Sequence, residues 1–357
     1  MRDKHLQIDE DSRLLKEIQE EVGRRLRFDR NTFTALLTVK FAIYFSLTVI
    51  LYLSLYRTQS PQSFIACYIV YGFVSLLFAF NFSHDFSHST VFKSKRWNMR
   101  CFTFIYSLVG AHAEAWKQRH IHSHHFAPNV EHYDSDMKIS GLIRVIPGSM
   151  YKWYHRFQHL YAPLAYTTYS LFWIFIKDFV ILFSREDDTG YGTSKNFRYH
   201  VSFWLQKCFY MAMILLLPLF FSGQSWHTIL IGFILMHMFQ SLFLLFTFFM
   251  THHVETTAYP GIDQNGMIRS SWLMNQVKSS NDMHPFSKTA NFILGGFNNH
   301  VAHHLFPHIH HIYYPELSRI LYDILSRNGI TPNQTSYVGG IISHMRLLKR
   351  MGQRERA

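Results

Sequence analysis

Four stretches of the chain are almost wholly apolar, and they come in two pairs. Residues 32–56 and 62–82 are separated only by a short linker around Pro61, and residues 201–221 and 227–250 by an uncharged turn near Gly223. About 20 apolar residues cross a bilayer as a helix, and inside lipid each backbone polar group must find its partner within the segment, so each pair predicts a transmembrane hairpin. Residues 160–183 are also apolar enough to span, but Pro163, Lys177 and Asp178 interrupt them. If that stretch crossed, His300, His303 and His304 would emerge on the side opposite the earlier histidines, so it is read as an interfacial helix. The polar segments add two further helices. Leu15, Ile18, Val22 and Leu26 recur at helical spacing in an otherwise charged run, which predicts an amphipathic helix that lies on the membrane surface or packs on the domain. Residues 315–327 begin with proline and stop at Asn328-Gly329, as a helix does. The expected division is a cytoplasmic N-terminal segment (1–31), one membrane domain (32–345) and a basic tail (346–357) suited to an anionic membrane surface.

Charge turns this pattern into a topology. Residues 89–159 carry ten Lys or Arg against four acids, whereas the linker after Tyr56 offers only Arg57. Positive charge stays on the cytoplasmic side, which places this loop, and the clusters beside it, in the cytoplasm. The formal net charge of +12 has the same origin, because no basic stripe with interleaved aromatics marks a nucleic-acid surface. The first 30 residues hold eight basic and eight acidic side chains and no apolar core, so no cleavable signal peptide is expected. Cys67, Cys101 and Cys208 are far apart and show neither disulfide nor zinc spacing.

The histidines supply the chemistry. They gather in three places: His84 and His88; His120, His124 and His125; and His300, His303 and His304. Offsets of three and four put each set on one helical face, and neutral imidazoles are seldom crowded unless a transition metal holds them. Eight such groups are too many for one ion, so two ions, each with an open position, fit better. Spacing leaves zinc, copper, iron and nickel all open. The Glu-x-x-His signature of soluble di-iron bundles is missing. Metal-bound histidines commonly donate their second N–H to a carboxylate, which makes Asp85, Asp134 and Asp136 candidates to orient them. Lys117, Arg119, Lys138, Arg144, Lys152 and Arg156 lie close to the second cluster in sequence. They serve either membrane orientation or a phosphate-bearing carrier.

Three motifs then carry a resemblance. His84-Asp-x-x-His88, Trp116-Lys-x-x-His120-x-x-x-His124-His125, and Gly295-Gly-Phe-Asn-x-His300-x-x-His303-His304-Leu-Phe-Pro307 resemble the histidine boxes of the membrane fatty-acid desaturase superfamily. Pro128-Asn129 and His155-Arg-Phe-Gln-His159 are similar to bacterial linoleoyl-CoA-desaturase-like acyl-CoA desaturases. The resemblance implies an all-α integral membrane enzyme with four transmembrane helices in two hairpins, interfacial helices, and a cytoplasmic helical cap that holds two non-heme irons. It implies the ligands His84, His88, His120, His124, His125, His300, His303 and His304. A ninth follows the last span, where His252 fits the motif better than His253. The implied reaction introduces a cis double bond into a fatty acyl chain, as acyl-CoA or acyl-lipid, using dioxygen and electrons from outside. No His-Pro-Gly-Gly heme motif or dinucleotide fingerprint occurs in the chain, so the expected donor is a separate ferredoxin or free cytochrome b5 with its reductase. The chain departs from the front-end branch at His300, Ala302 and Ile121, where that branch usually carries Gln, Glu and Asn.

Two other readings compete. The same di-iron scaffold hydroxylates fatty acids or lipids, alkanes or carotenoids, and a product assay separates the two outcomes. A histidine-lined metal transporter would place ionisable groups inside its spans, but here only Lys40, Lys207 and His237 fall within or near them.

Overall fold

The structure is a computed structural model that describes residues 2–137, 141–184 and 195–354. Lys138, one of the candidate carrier-binding cations, lies outside the described residues. The chain forms two compact units: Asp29–Lys117 with Leu164–Leu245, and Met1–Phe28 with Gln118–Pro163 and Phe246–Ala357. It is helical almost throughout. The described strands are two three-residue segments, β1 (Asn281–Met283) and β2 (Asn333–Thr335), paired in parallel.

We number the helices in chain order: α1 Asp9–Arg25, α2 Arg30–Ser54, α3 Pro61–Ser87, α4 Lys95–Leu108 and α5 Ala113–Gln118, which runs on as a π-helical turn, Arg119–His124. Next come α6 Trp153–Tyr166, α7 Tyr169–Phe183, α8 Phe197–Phe221 and α9 Trp226–His252. The remainder are α10 Trp272–Lys278, α11 Lys288–Leu294, α12 His300–Leu305, α13 Tyr314–Arg327 and α14 Tyr337–Met351.

Four helices, α2, α3, α8 and α9, are long and apolar enough to cross a membrane, and they coincide with the four stretches expected from the sequence. Their starts are set by local chemistry. The Asp29 carboxylate accepts from Asn31 N at 3.0 Å, Ser60 and Pro61 open α3, and Asn196 Oδ1 accepts from Tyr199 N at 3.1 Å. The core of this unit is aromatic and aliphatic, built on Phe64, Tyr68, Tyr71, Ile214, Phe233 and Met236. Gly72 lets α3 and α9 approach closely, since a Cβ there would overlap the Met236 side chain, and Gln240 Nε2 donates to the Gly72 carbonyl at 2.7 Å. Residues 160–183 are helical but do not form one straight rod: α6 and α7 are bent by 74° at the break after Tyr166. There the backbone N–H groups of Thr167 and Thr168 close onto the carbonyls of Leu164 and Ala165, three residues back, at 3.1 and 3.2 Å, and their hydroxyls donate to the same oxygens at 2.7 and 2.8 Å, which ends the α-helical ladder.

The other unit explains the amphipathic N-terminal helix. Leu14, Ile18, Val22 and Leu26 are buried in one cluster with Leu317, Leu321 and Ile324 of α13, and Arg25 pairs with Asp323 at 2.5 Å. Of the two sequence expectations for α1, packing on the domain is the one observed. Arg144 is likewise used internally: its Nε donates to Ser149 O and its Nη1 to Met351 O, both at 2.8 Å.

Candidate metal centre

The third histidine box is placed by a turn that only glycine permits at its tightest point. Gly295 and Gly296 both have positive φ, and a Cβ on Gly296 would come within 2.5 Å of His311 Cβ. The chain then enters α12, whose first N–H groups lack helical partners. The buried carboxylate of Asp282 takes this role, accepting from Val301 N at 2.9 Å and from Tyr322 Oη at 3.0 Å. Burial pushes the Asp282 carboxyl up to about 7, against those bonds and one from the His300 backbone.

The second box follows different geometry from the expected α-helix. His125 N bonds to His120 O at 3.0 Å, a span of five residues, so the box is a π-helical turn. Five-residue closure brings His120 and His125 together, with their Nε2 atoms 3.2 Å apart, while His120 and His124 have rings nearly parallel at 5.6 Å. The π turn therefore sets His125 beside His120, a pairing that four-residue spacing alone would not give.

Within this unit the second and third boxes and the end of α9 converge. His124, His252, His300 and His304 are all buried, and each offers a ring nitrogen within 4.8 Å of those of the other three. His252 Nε2 lies 2.7 Å from His300 Nε2 and 3.2 Å from His304 Nε2. His303 stacks on His120 with centroids 5.6 Å apart and stands 4.5 Å from the ring of His125. His84 and His88 belong to the other unit, where their rings stand 5.1 Å apart beside Trp116. That unit also has an apolar groove of about 580 Å³ lined by Phe78, Phe82 and Phe86. His84 is two residues from both Phe82 and Phe86, which puts it on the opposite side of α3 from the groove.

The outward nitrogens fix which atom each ring presents. His124 Nδ1 donates to Asp134 Oδ2 at 3.0 Å, His252 Nδ1 to the Ser279 carbonyl at 2.8 Å, and His304 Nδ1 to Gln276 Oε1 at 2.9 Å. A carbonyl, a carboxylate and an amide oxygen can only accept. When neutral, each of these rings thus carries its proton on Nδ1 and turns the Nε2 lone pair inward. Inward-facing lone pairs repel unless a cation sits among them, so the donor set fits a transition metal. Burial works against charge on His124, but Asp134, through its charge and its hydrogen bond, and Asp136 raise its proton affinity on balance. The same field favours a bound cation. Burial, then the neighbouring imidazoles, hold His304 far below the usual histidine range, so its lone pair is free at neutral pH.

The remaining sequence candidates divide clearly. Asp134 also accepts from Asn129 N at 3.0 Å, and Asp136 pairs with Arg119 at 3.2 Å. Asp85 is buried in the helical turn between His84 and His88, with Thr90 Oγ1 3.3 Å from its carboxylate. Lys117 is half-buried, whereas Lys152 and Arg156 are exposed over the rings of Tyr154 and Phe157. Three partners of the histidines escaped the sequence reading: Gln276, Ser279 and Tyr314, whose hydroxyl is 3.2 Å from His303 Nδ1. One signal was present. Residues 275–282 are mostly amides, serines and an acid, and Asn275, Gln276, Ser279, Ser280, Asn281 and Asp282 are all buried, as polar groups are when each has a task.

A fatty acid desaturase family model matches residues 60–336, most of the chain. The chain belongs to that family. It is 29% identical over 243 residues to an acyl-lipid (8-3)-desaturase of Physcomitrium patens, covering 66% of this chain and 49% of that one. It is also 29% identical over 239 residues to an sn-1 linoleoyl-lipid 6-desaturase of Arthrospira platensis (67% and 64%). A Delta(5) fatty acid desaturase A of Dictyostelium discoideum matches at 25% over 328 residues, covering 87% and 68%. The matched region thus spans about half to two thirds of these relatives. Asp134→Asn keeps the shape but removes the charge behind His124. It is expected to weaken metal binding about 10–100-fold, the usual effect of losing such a partner, and a metal titration of the purified variant measures it.

Proposed function

We propose that this chain is an oxygen-dependent fatty acyl desaturase that introduces a cis double bond into a membrane-borne acyl chain. The observation that carries the reading is the set of imidazoles held by Asp134, Ser279 and Gln276 with their Nε2 lone pairs turned inward. His124, His252, His300 and His304 would hold one iron. The family motif assigns the second to the other box histidines, His84, His88, His120, His125 and His303. When bound, two irons supply the oxygen-activating chemistry, with two external electrons per turnover, that takes hydrogens from unactivated carbon. The protein's own part is to keep the rings neutral, oriented and buried away from water.

The names of the relatives favour a lipid-bound acyl chain over a CoA thioester. Among the basic candidates for a carrier phosphate, Arg119 and Arg144 are engaged with Asp136 and with backbone carbonyls. Lys152 and Arg156 keep exposed charges for that role. The reading places the four long apolar helices in a membrane, with the histidines on its cytoplasmic side.

Expression in a host of known fatty-acid profile, followed by mass spectrometry of its lipids, tests the assignment. A new unsaturated acyl chain two hydrogens lighter is expected. A product heavier by one oxygen would establish the hydroxylase instead. The purified chain given only NAD(P)H, dioxygen and substrate is expected to be inactive until a reductase with ferredoxin or cytochrome b5 is added. The restored rate should fall as salt rises, because exposed charges are screened over about 10 Å at 0.1 M. Turnover without any added donor would overturn the external-donor part.

A further inference from the structure

The unit that holds the long apolar helices contains a buried ion pair between Asp178 and Lys207. Asp178 of α7 is fully buried and Lys207 of α8 is nearly so. Lys207 Nζ donates to Asp178 Oδ2 and to Gly110 O at 2.7 Å, and to Ile174 O at 2.8 Å. The same Asp178 oxygen accepts from His112 N at 2.9 Å, and the neighbouring Gln206 Oε1 accepts from Ala113 N at 3.1 Å. Ala113 is the first residue of α5 and His112 precedes it, the opening helical bond running from Trp116 N to His112 O at 3.2 Å. α5 and its π turn carry His120, His124 and His125.

A helix start is usually capped by its own Ser, Thr, Asp or Asn. Here the capping position is His112, and neither of its ring nitrogens has a hydrogen-bond partner among the described residues. The cap is supplied from α7 and α8 instead. Gly110 allows this, because its φ is +80° and a Cβ would come within 2.8 Å of the Tyr210 ring. The arrangement is costly as a source of stability, since buried ion pairs are commonly matched or bettered by apolar residues of equal volume. What it provides is placement. His120 lies two turns beyond Ala113, roughly 10 Å at 1.5 Å per residue, so a tilt of roughly 6° at the helix start moves its ring by about 1 Å. Metal constellations must hold to about 0.5 Å.

We propose that Asp178 and Lys207 are positioning residues, an external cap that fixes the start of the helix that runs on into the second histidine box. The proposal rests on the reading of those histidines as metal ligands.

Two double variants of the full chain test it. D178L/K207M removes the charges together with their bonds to α5, so no lone charge is left buried. D178N/K207Q removes the charges but keeps an acceptor for His112 N and a donor for Gly110 O. Anaerobic Fe(II) titration and the ratio of product formed to oxygen consumed are the readouts. D178L/K207M should bind iron about 10–100-fold more weakly and form several-fold less product per oxygen consumed, the effects expected of a disturbed outer shell. D178N/K207Q should recover most of both. Wild-type iron affinity and coupling in a folded D178L/K207M overturn the proposal, and so does failure of the polar pair to recover either. If D178L/K207M does not fold, Gln206→Leu, which removes the Ala113 acceptor alone, carries the test with the same criteria. His124→Ala runs alongside: wild-type iron binding in it would refute the ligand reading itself, independently of the Asp178 variants.

Discussion

Replacing His304 by Ala is expected to abolish product formation and to lower bound iron from two per chain to one or none. His304 is buried, its Nε2 stands 3.2 Å from His252 Nε2, and its Nδ1 is occupied by Gln276. His124, His252 and His300 are already committed to the same locality, so none of them can take its place. The cavity left by the ring will admit water, but water brings no second contact that fixes orientation as Gln276 does for the histidine. His124→Ala should behave in the same way and in addition leave Asp134 facing a vacated position. Iron analysis of purified protein, with desaturated lipid measured in the expressing host, decides the matter. Full activity in either variant, or iron near one per chain in the unaltered protein, would refute the two-iron assignment.

Much of this arrangement could be read from the sequence, for a physical reason. A membrane span must satisfy its own backbone and be apolar along its whole length, so the four long helices are written as continuous runs with few alternatives. Metal binding similarly leaves a local mark, because ligands are drawn from one residue type at helical offsets. The places where expectation and structure part company are those governed by contacts distant in the chain. The second box is a π turn closing from His125 to His120, and nothing in the residues 119–125 distinguishes five-residue from four-residue closure; the histidine spacing suits either. The break after Tyr166 falls where Thr167 and Thr168 close onto the carbonyls of Leu164 and Ala165, and Pro163 lies inside a helix that continues past it. The apolar stripe of α1 was clear, but its partner, Leu317, Leu321 and Ile324 on α13, is almost three hundred residues away, and periodicity cannot say whether a stripe meets protein or lipid.

The groups that hold the histidines show the same limit more sharply. Asp134 was legible because an acid ten residues from His124 lies within the reach of the same loop. Ser279 contributes through its backbone carbonyl, to which no side chain testifies, and Gln276 through an amide on a helix remote from both boxes. Asp178 and Lys207 looked like interruptions of apolar segments. In the structure they are the partners of a turn that the sequence separates from them by 66 and 97 residues.

The pair at the end of α9 gives the sharpest contrast between neighbours. His252→Ala is expected to be as inactive as a box variant, whereas His253→Ala should keep most of its activity. Both rings are buried, so exposure does not separate them. Their partners do. His252 Nε2 points among the cluster, 2.7 Å from His300 Nε2, and its Nδ1 proton is fixed on the Ser279 carbonyl. His253 instead places Nδ1 2.9 Å from the Tyr259 hydroxyl and lies parallel to that ring, while its backbone carbonyl accepts from His344 Nδ1 at 2.7 Å. Its side chain is occupied in joining the end of α9 to the loop that follows. Losing it removes a hydrogen bond worth about 1 kcal/mol and some packing, which should lower the melting temperature by a few degrees. The iron content should be unchanged. Iron analysis and lipid product measured side by side on the two variants separate these outcomes. A reversal, with His253→Ala emptied of iron and His252→Ala still loaded, would move the ninth ligand one residue along the chain.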